Sequence, residues 1–143
     1  MLKPKVMNKK ECLSMFLKHY FNYLSFLNKY IENPKHSKKF KIFIEKNYLV
    51  KKTNPSYLIK TWYTKISDPY LVYIKNKNKD FFMNKDYSTE LQDEVKKEVN
   101  INSITEQCKI IFNNINDEEK DIIWKYLKIL SELSSLYITN IST

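Results

Sequence analysis

From Lys9 to Glu32, apolar residues recur at Leu13, Leu17, Tyr20, Leu24, Leu27 and Ile31, in alternating steps of four and three. That spacing marks one face of an α-helix, widened here by Phe16, Tyr23 and Tyr30. The pattern lasts fewer than four heptads and has aromatics beside the seam, so it predicts a helix in a globular core rather than a coiled coil. Asn33-Pro34 ends it, because Pro lacks an N–H and disfavours α geometry before it. A second helix is expected from about Ser37 to Val50, with Phe40, Phe43, Ile44 and Tyr48 as its stripe. Asn54-Pro55 supplies an N-cap and a Pro at the first helical position, opening a third helix that contains Leu58, Ile59, Trp62 and Tyr63. Asp68-Pro69 repeats that signal and predicts a short fourth helix through about Ile74.

Further on, Lys75 to Lys79 alternates Lys with Asn and reads as solvated, and Phe81, Phe82 and Met83 read as a short apolar anchor. Residues 84–101 form a polar connecting region, and residues 1–8 a loose lead-in. Ser103 with Glu106 fits a capping box for a helix through Asn114, whose stripe is Ile104, Cys108, Ile111, Phe112 and Ile115. Asn116 with Glu119 fits a second box, opening a last helix to about Tyr137 that turns Ile123, Tyr126, Leu127, Leu130, Leu133 and Tyr137 inward. Asp117, Glu118, Glu119 and Asp121 occupy its first turn, where negative charge suits the helix dipole. No repeat of solenoid length is present. The expected fold is all-α: an irregular single-domain bundle of five or six helices over residues 1–143.

Composition narrows the functions open to such a bundle. The 143 residues include no Gly, no Ala and no Arg, and all 25 basic residues are Lys. Without Gly there is no phosphate-wrapping P-loop, no dinucleotide fingerprint and no nucleophile elbow. Without Arg there is no guanidinium clamp on phosphate or guanine. AT-rich codons serve Lys, Asn, Ile, Tyr and Phe, so the base composition of the gene is a sufficient cause of this bias. The longest uncharged run, His19 to Asn28, has 10 residues, half of a bilayer span, so no membrane span is expected. Cys12 and Cys108 read as free thiols in a reducing compartment, and the chain as a soluble intracellular protein.

Charge is divided along the sequence. Residues 1–79 carry +14 and residues 80–143 carry −5, within a total of +9. The dense groups are Lys35, Lys38, Lys39 and Lys41, then Lys51 and Lys52, then Lys75, Lys77 and Lys79. Converging on one face, they would form a candidate nucleic-acid-binding surface, with interleaved aromatics able to stack on bases. A solvated Lys-rich face set by codon usage is the competing account, and head-to-tail self-association is a third use of the asymmetry.

Catalytic signals are sparse. Cys12 and His19 lie about 10 Å apart along a helix axis, too far to share one zinc ion. Cys108 falls on an apolar stripe and reads as a small buried hydrophobe. The carboxylates at Asp117–Asp121 read as dipole-complementing surface. No catalytic residue, metal site or cofactor is expected, and the protein reads as non-enzymatic.

One stretch runs Trp62-Tyr63-Thr64-Lys65-Ile66-Ser67-Asp68-Pro69-Tyr70, followed by Asp80-Phe81-Phe82-Met83-Asn84-Lys85-Asp86-Tyr87-Ser88, and another is Lys125-Tyr126-Leu127-Lys128-Ile129-Leu130-Ser131-Glu132-Leu133. Together they resemble a group of small helical proteins of nucleocytoplasmic large DNA viruses. The resemblance implies an all-α viral protein in the host cytoplasm or viral factory, or associated with the virion, and no catalytic residues. The leading expectation is a non-enzymatic interaction or structural protein acting through contacts with a viral or host protein or with itself. The alternative is sequence-nonspecific binding of DNA or RNA by the Lys-rich surface of residues 1–79.

Overall fold

The structure, a computed structural model, describes residues 7–78 and 102–139. Every regular element among them is helical: α1 (Lys9–Lys29), α2 (Pro34–Thr53), α3 (Pro55–Trp62), a π-helical turn (Tyr63–Ser67), α4 (Asp68–Lys75), α5 (Asn102–Phe112) and α6 (Asp117–Thr139). The all-α expectation holds.

Helix α1 is the axis on which α2, α3, α5 and α6 all pack. It starts where Asn8 Oδ1 accepts the Glu11 N–H at 2.8 Å, so Asn8 is part of the fold and not of a loose lead-in. It stops at Lys29, short of Glu32, as the Tyr30 N–H turns back to the Leu27 carbonyl. Phe16, Tyr20, Tyr23, Leu24 and Leu27 are fully buried, while Leu13 and Ile31, the ends of the expected seam, are half-buried. The buried arc is therefore rotated toward the aromatics. Solvent reaches a narrow strip through Ser14, Lys18, Asn22, Ser25 and Lys29.

Helix α2 begins earlier than the apolar stripe suggested. Asn33 Oδ1 accepts the N–H groups of Lys35 and His36, with Pro34 at the first helical position. The Asn-Pro pair that stops α1 thus also caps α2. Asn54-Pro55 does open α3, but there the Asn side chain caps no backbone N–H; its Oδ1 accepts from the Ser56 hydroxyl at 3.4 Å.

The fourth helix forms as expected from Asp68-Pro69, but it continues α3 instead of starting afresh. Ser67 and Asp68 both keep right-handed helical dihedrals, so α3, the π turn and α4 are one continuous rod. The Asp68 N–H reaches back five residues to the Tyr63 carbonyl, which defines the wide turn. Pro69 follows at once; it has no N–H to give Lys65, and in a regular helix its ring would press on the Lys65 carbonyl. The wide turn also explains the burial pattern. Leu58, Trp62, Ile66, Tyr70 and Ile74 are all buried at a strict spacing of four. In an ordinary helix that spacing drifts about 40° per step, so five such positions would fan out over about 160°. The wider turn takes up much of that drift.

Helix α6 runs antiparallel to both α1 and this rod. Cys12 Sγ donates to the Leu133 carbonyl near one end, and Tyr23 stacks on Tyr126 toward the other. Its start is the expected capping box: Asn116 Oδ1 accepts from Glu119 N at 2.8 Å, and Glu119 Oε1 accepts from Asn116 N at 3.0 Å. Ile123, Leu127, Leu130 and Leu133 are buried as expected, but Tyr126 and Tyr137 are half-buried and Trp124, Ser131 and Ser134 are buried as well. The small serines bring the rod close. Trp62 Nε1 donates to Ser131 Oγ at 3.1 Å, and the Ser67 hydroxyl donates to the Ser131 carbonyl at 2.9 Å. Helix α5 ends at Phe112 rather than Asn114, and the side chains of Ser103 and Glu106 lie outside the described residues. Among the described residues, the buried apolar side chains join in one core.

Candidate nucleic-acid interface

Helix α2 lies antiparallel on α1, with Ser37 bonded to Asn28 at one end and Asn47 to Tyr20 further along. Only Phe40 and Asn47 are buried, with Phe43, Ile44 and Val50 half-buried beside them. The rest of the helix faces water. Tyr48, expected in the apolar stripe, is 45% exposed, because Asn47 takes the inward position and Tyr48 falls about 100° further round. Asn47 is tolerated inside because it is satisfied: its Oδ1 accepts from the Tyr20 hydroxyl at 2.5 Å, and its Nδ2 donates to the Phe43 carbonyl at 2.7 Å.

This lopsided packing concentrates charge. Helix α2 holds Lys35, Lys38, Lys39, Lys41, Lys46, Lys51 and Lys52, all exposed, against the single acid Glu45. At 3.6 residues per turn, Lys38, Ile42, Glu45, Leu49 and Lys52 form a stripe opposite Phe40 and Asn47, flanked by Lys35, Lys39 and Lys46. From Lys35 to Lys52 the face is about 25 Å long, the span of about seven phosphates of one strand. Among the described residues no ion pair engages Lys35, Lys38, Lys39, Lys41, Lys46 or Lys52. Lys46 was not among the residues singled out from the sequence.

The other candidates go elsewhere. Lys75 and Lys77 sit at the end of α4, and Lys77 Nζ lies 3.3 Å from Asp121 Oδ1, just past the acidic first turn of α6. That pairing removes Lys77 from the positive surface. Lys79 lies outside the described residues, as do Phe81, Phe82, Asn84, Lys85, Asp86, Tyr87 and Ser88. Within the remaining motif, Trp62 and Tyr70 are buried, Tyr63 is half-buried and Pro69 is exposed. Among the described residues, the acids at the start of α6 are not set apart from the lysine-bearing helices. Helix α6 lies against α1 and α4, and the densest group of exposed lysines among the described residues is on α2.

Desolvation holds both thiols in their protonated form. Burial pushes the Cys12 thiol above its ordinary value, opposed by a backbone hydrogen bond from Tyr137. Cys108 is half-buried rather than enclosed at the surface level, yet desolvation pushes its thiol up to about 11, opposed by the Tyr23 hydroxyl. Among the described residues no three His, Cys, Asp or Glu gather in a metal-binding group, and no helix is long and apolar enough to cross a membrane. No family model, curated protein or solved structure matches this chain.

Proposed function

We propose that this protein is a non-enzymatic, sequence-nonspecific nucleic-acid-binding protein whose contact surface is the outer face of α2. The observation that carries this reading is the set of seven exposed lysines on one 20-residue helix with one acid among them. Such a face attracts phosphate through counterion release, whatever the base sequence. Lys offers point charges, not the planar fork that reads guanine, which fits nonspecific binding. The resemblance to proteins of large DNA viruses supports a setting in the viral factory or virion.

A protein partner is the second reading, favoured by Ile42 and Leu49, which are 45% and 60% exposed in the middle of the same face. The cores of protein interfaces are depleted in Lys, so the surrounding lysines favour the polyanion.

Fluorescence anisotropy with labelled DNA and RNA at about 50 and 200 mM salt tests the proposal. The expected result is binding that weakens by orders of magnitude with salt. The pair Lys39→Glu and Lys46→Glu should lower affinity more than tenfold, while the charge-matched pair Lys125→Glu and Lys128→Glu on α6 leaves it within about twofold. Equal losses from both pairs, or no binding at the lower salt, would overturn it.

A further inference from the structure

We propose that the groove between α1 and α2 seats one unpaired base of a single-stranded nucleic acid, stacked on Tyr48, with Lys18 and Lys51 on the adjoining phosphates. This rests on the nucleic-acid reading above and narrows it to single strands. The groove has a volume of about 350 Å³ and is lined by Leu17, Lys18, Phe21, Asn22, Tyr48 and Lys51, with the Ser14 hydroxyl at its edge. That volume lies at the small end of ligand sites. Its lining combines a flat aromatic surface, two ammonium groups, and a carboxamide and a hydroxyl able to meet the polar edge of a base.

The aromatic surface is prepared in advance. The rings of Phe21 and Tyr48 stack at 4.1 Å, 12° from parallel. Phe21 is buried, so it backs one face of Tyr48 and leaves the other face and edge to provide the 45% exposure. Lys51 Nζ lies 5.6 Å from the Phe21 centroid and 6.0 Å from that of Tyr48. Being nearly equidistant from two rings 4.1 Å apart, the ammonium sits beside the pair and leaves the outer face of Tyr48 uncovered. One residue inward on each helix, the Tyr20–Asn47 hydrogen bond pins α1 to α2, so the platform is fixed before any ligand arrives.

A duplex keeps its base faces stacked on one another and has none to offer a protein aromatic, whereas a single strand presents one at every nucleotide. Stacking on Tyr48 tolerates any base, consistent with nonspecific binding on the neighbouring lysines.

The test compares a labelled single-stranded oligothymidylate with a duplex of the same length, using the full chain, by anisotropy. Tyr48→Leu keeps apolar packing on Phe21 and removes the stacking face. It should weaken single-strand binding by about tenfold, within the range of one base–aromatic stack, and leave duplex binding unchanged. Lys18→Gln alters an exposed side chain and keeps the test open if Tyr48→Leu disturbs folding; it should lower the single-strand salt slope by about 0.7 and not the duplex slope. Equal wild-type affinity for both nucleic acids, with both variants silent, would overturn the base seat and leave the α2 face standing. Binding to neither would overturn both proposals.

Discussion

The indole Nε1 of Trp62 donates to the Ser131 hydroxyl at 3.1 Å, joining the middle of the α3–α4 rod to the middle of α6 across 69 positions of sequence. Both residues are fully buried, so neither can exchange this bond for water. Ser131→Ala leaves the indole N–H unsatisfied and should destabilise the fold by about 1–3 kcal/mol. The urea midpoint should fall with the m-value unchanged; an unshifted midpoint would mean that the bond contributes nothing.

Tyr20 and Asn47 form a further buried polar bridge, between α1 and α2. Tyr20→Phe should cost about 1 kcal/mol, and Asn47→Ala more, since it opens a cavity and strands the Tyr20 hydroxyl. The double variant Tyr20→Phe with Asn47→Leu should be less destabilised than the sum of the single changes, because no stranded group remains. Additive urea midpoints would show the two side chains to be energetically independent. Burial also pushes the Tyr20 hydroxyl well above its ordinary value of 10, so it should stay protonated in alkaline titration followed by tyrosine absorbance.

Glu119 joins the start of α6 to the end of α1. Its carboxylate accepts from the Tyr30 hydroxyl and from the Asn116 backbone N–H, and with Lys29 nearby these hold it below its ordinary 4.5. A carboxyl depressed in the folded state contributes stability above its unfolded pKa and loses it as pH falls through the folded one. Thermal stability should therefore drop as pH falls from about 5 into the acid range. In Glu119→Gln that particular drop should be smaller, with lower stability at neutral pH. Parallel curves for the two proteins would show that Glu119 is not linked to folding.

Cys108, pushed up to about 11 from an ordinary 9.0, should hold about a hundredfold less thiolate than a free cysteine near neutral pH. Cys12 is fully buried and donates to the Leu133 carbonyl. Both should react slowly with a thiol reagent in the native protein and fast in urea. A rapid reaction in the native state, lost in Cys108→Ser, would contradict the structure around that thiol.

The elements were legible where apolar spacing and capping residues agreed. Asn116 with Glu119 announced α6, and both bonds of the box form. The α2 boundary was missed although Asn33-Pro34 carries the same signal as Asn54-Pro55, since a pair that stops one helix can also start the next. Asn47 could have been noticed as a polar residue in step with Phe40, Phe43 and Ile44, the mark of a satisfied buried amide. Tyr48, one place on, is thereby turned outward, and no spacing rule foretells that Phe21 from another helix will lie against it. The lysines of α2 were visible as a cluster, but their shared exposure depends on how little of α2 is covered. That Lys77 would meet Asp121 is a tertiary fact absent from the local sequence. Likewise, Pro69 reads locally as a helix start, and only the neighbouring wide turn lets the chain pass through it unbroken.

A chain of unchanged length that wound Tyr63–Ser67 as ordinary α-helix would still be an unbroken spiral and would nonetheless lose its partner. Tightening that stretch to ordinary pitch would swing everything after it by about 100°. Tyr70 and Ile74 would leave the side that meets α6, and the Ser67 hydroxyl would no longer point at the Ser131 carbonyl. Thr64, which is exposed, is free to change its letter. What the fold counts here is residues against pitch: one residue fewer, wound at ordinary pitch, keeps Tyr70 and Ile74 in phase with α6, whereas one residue more turns them away.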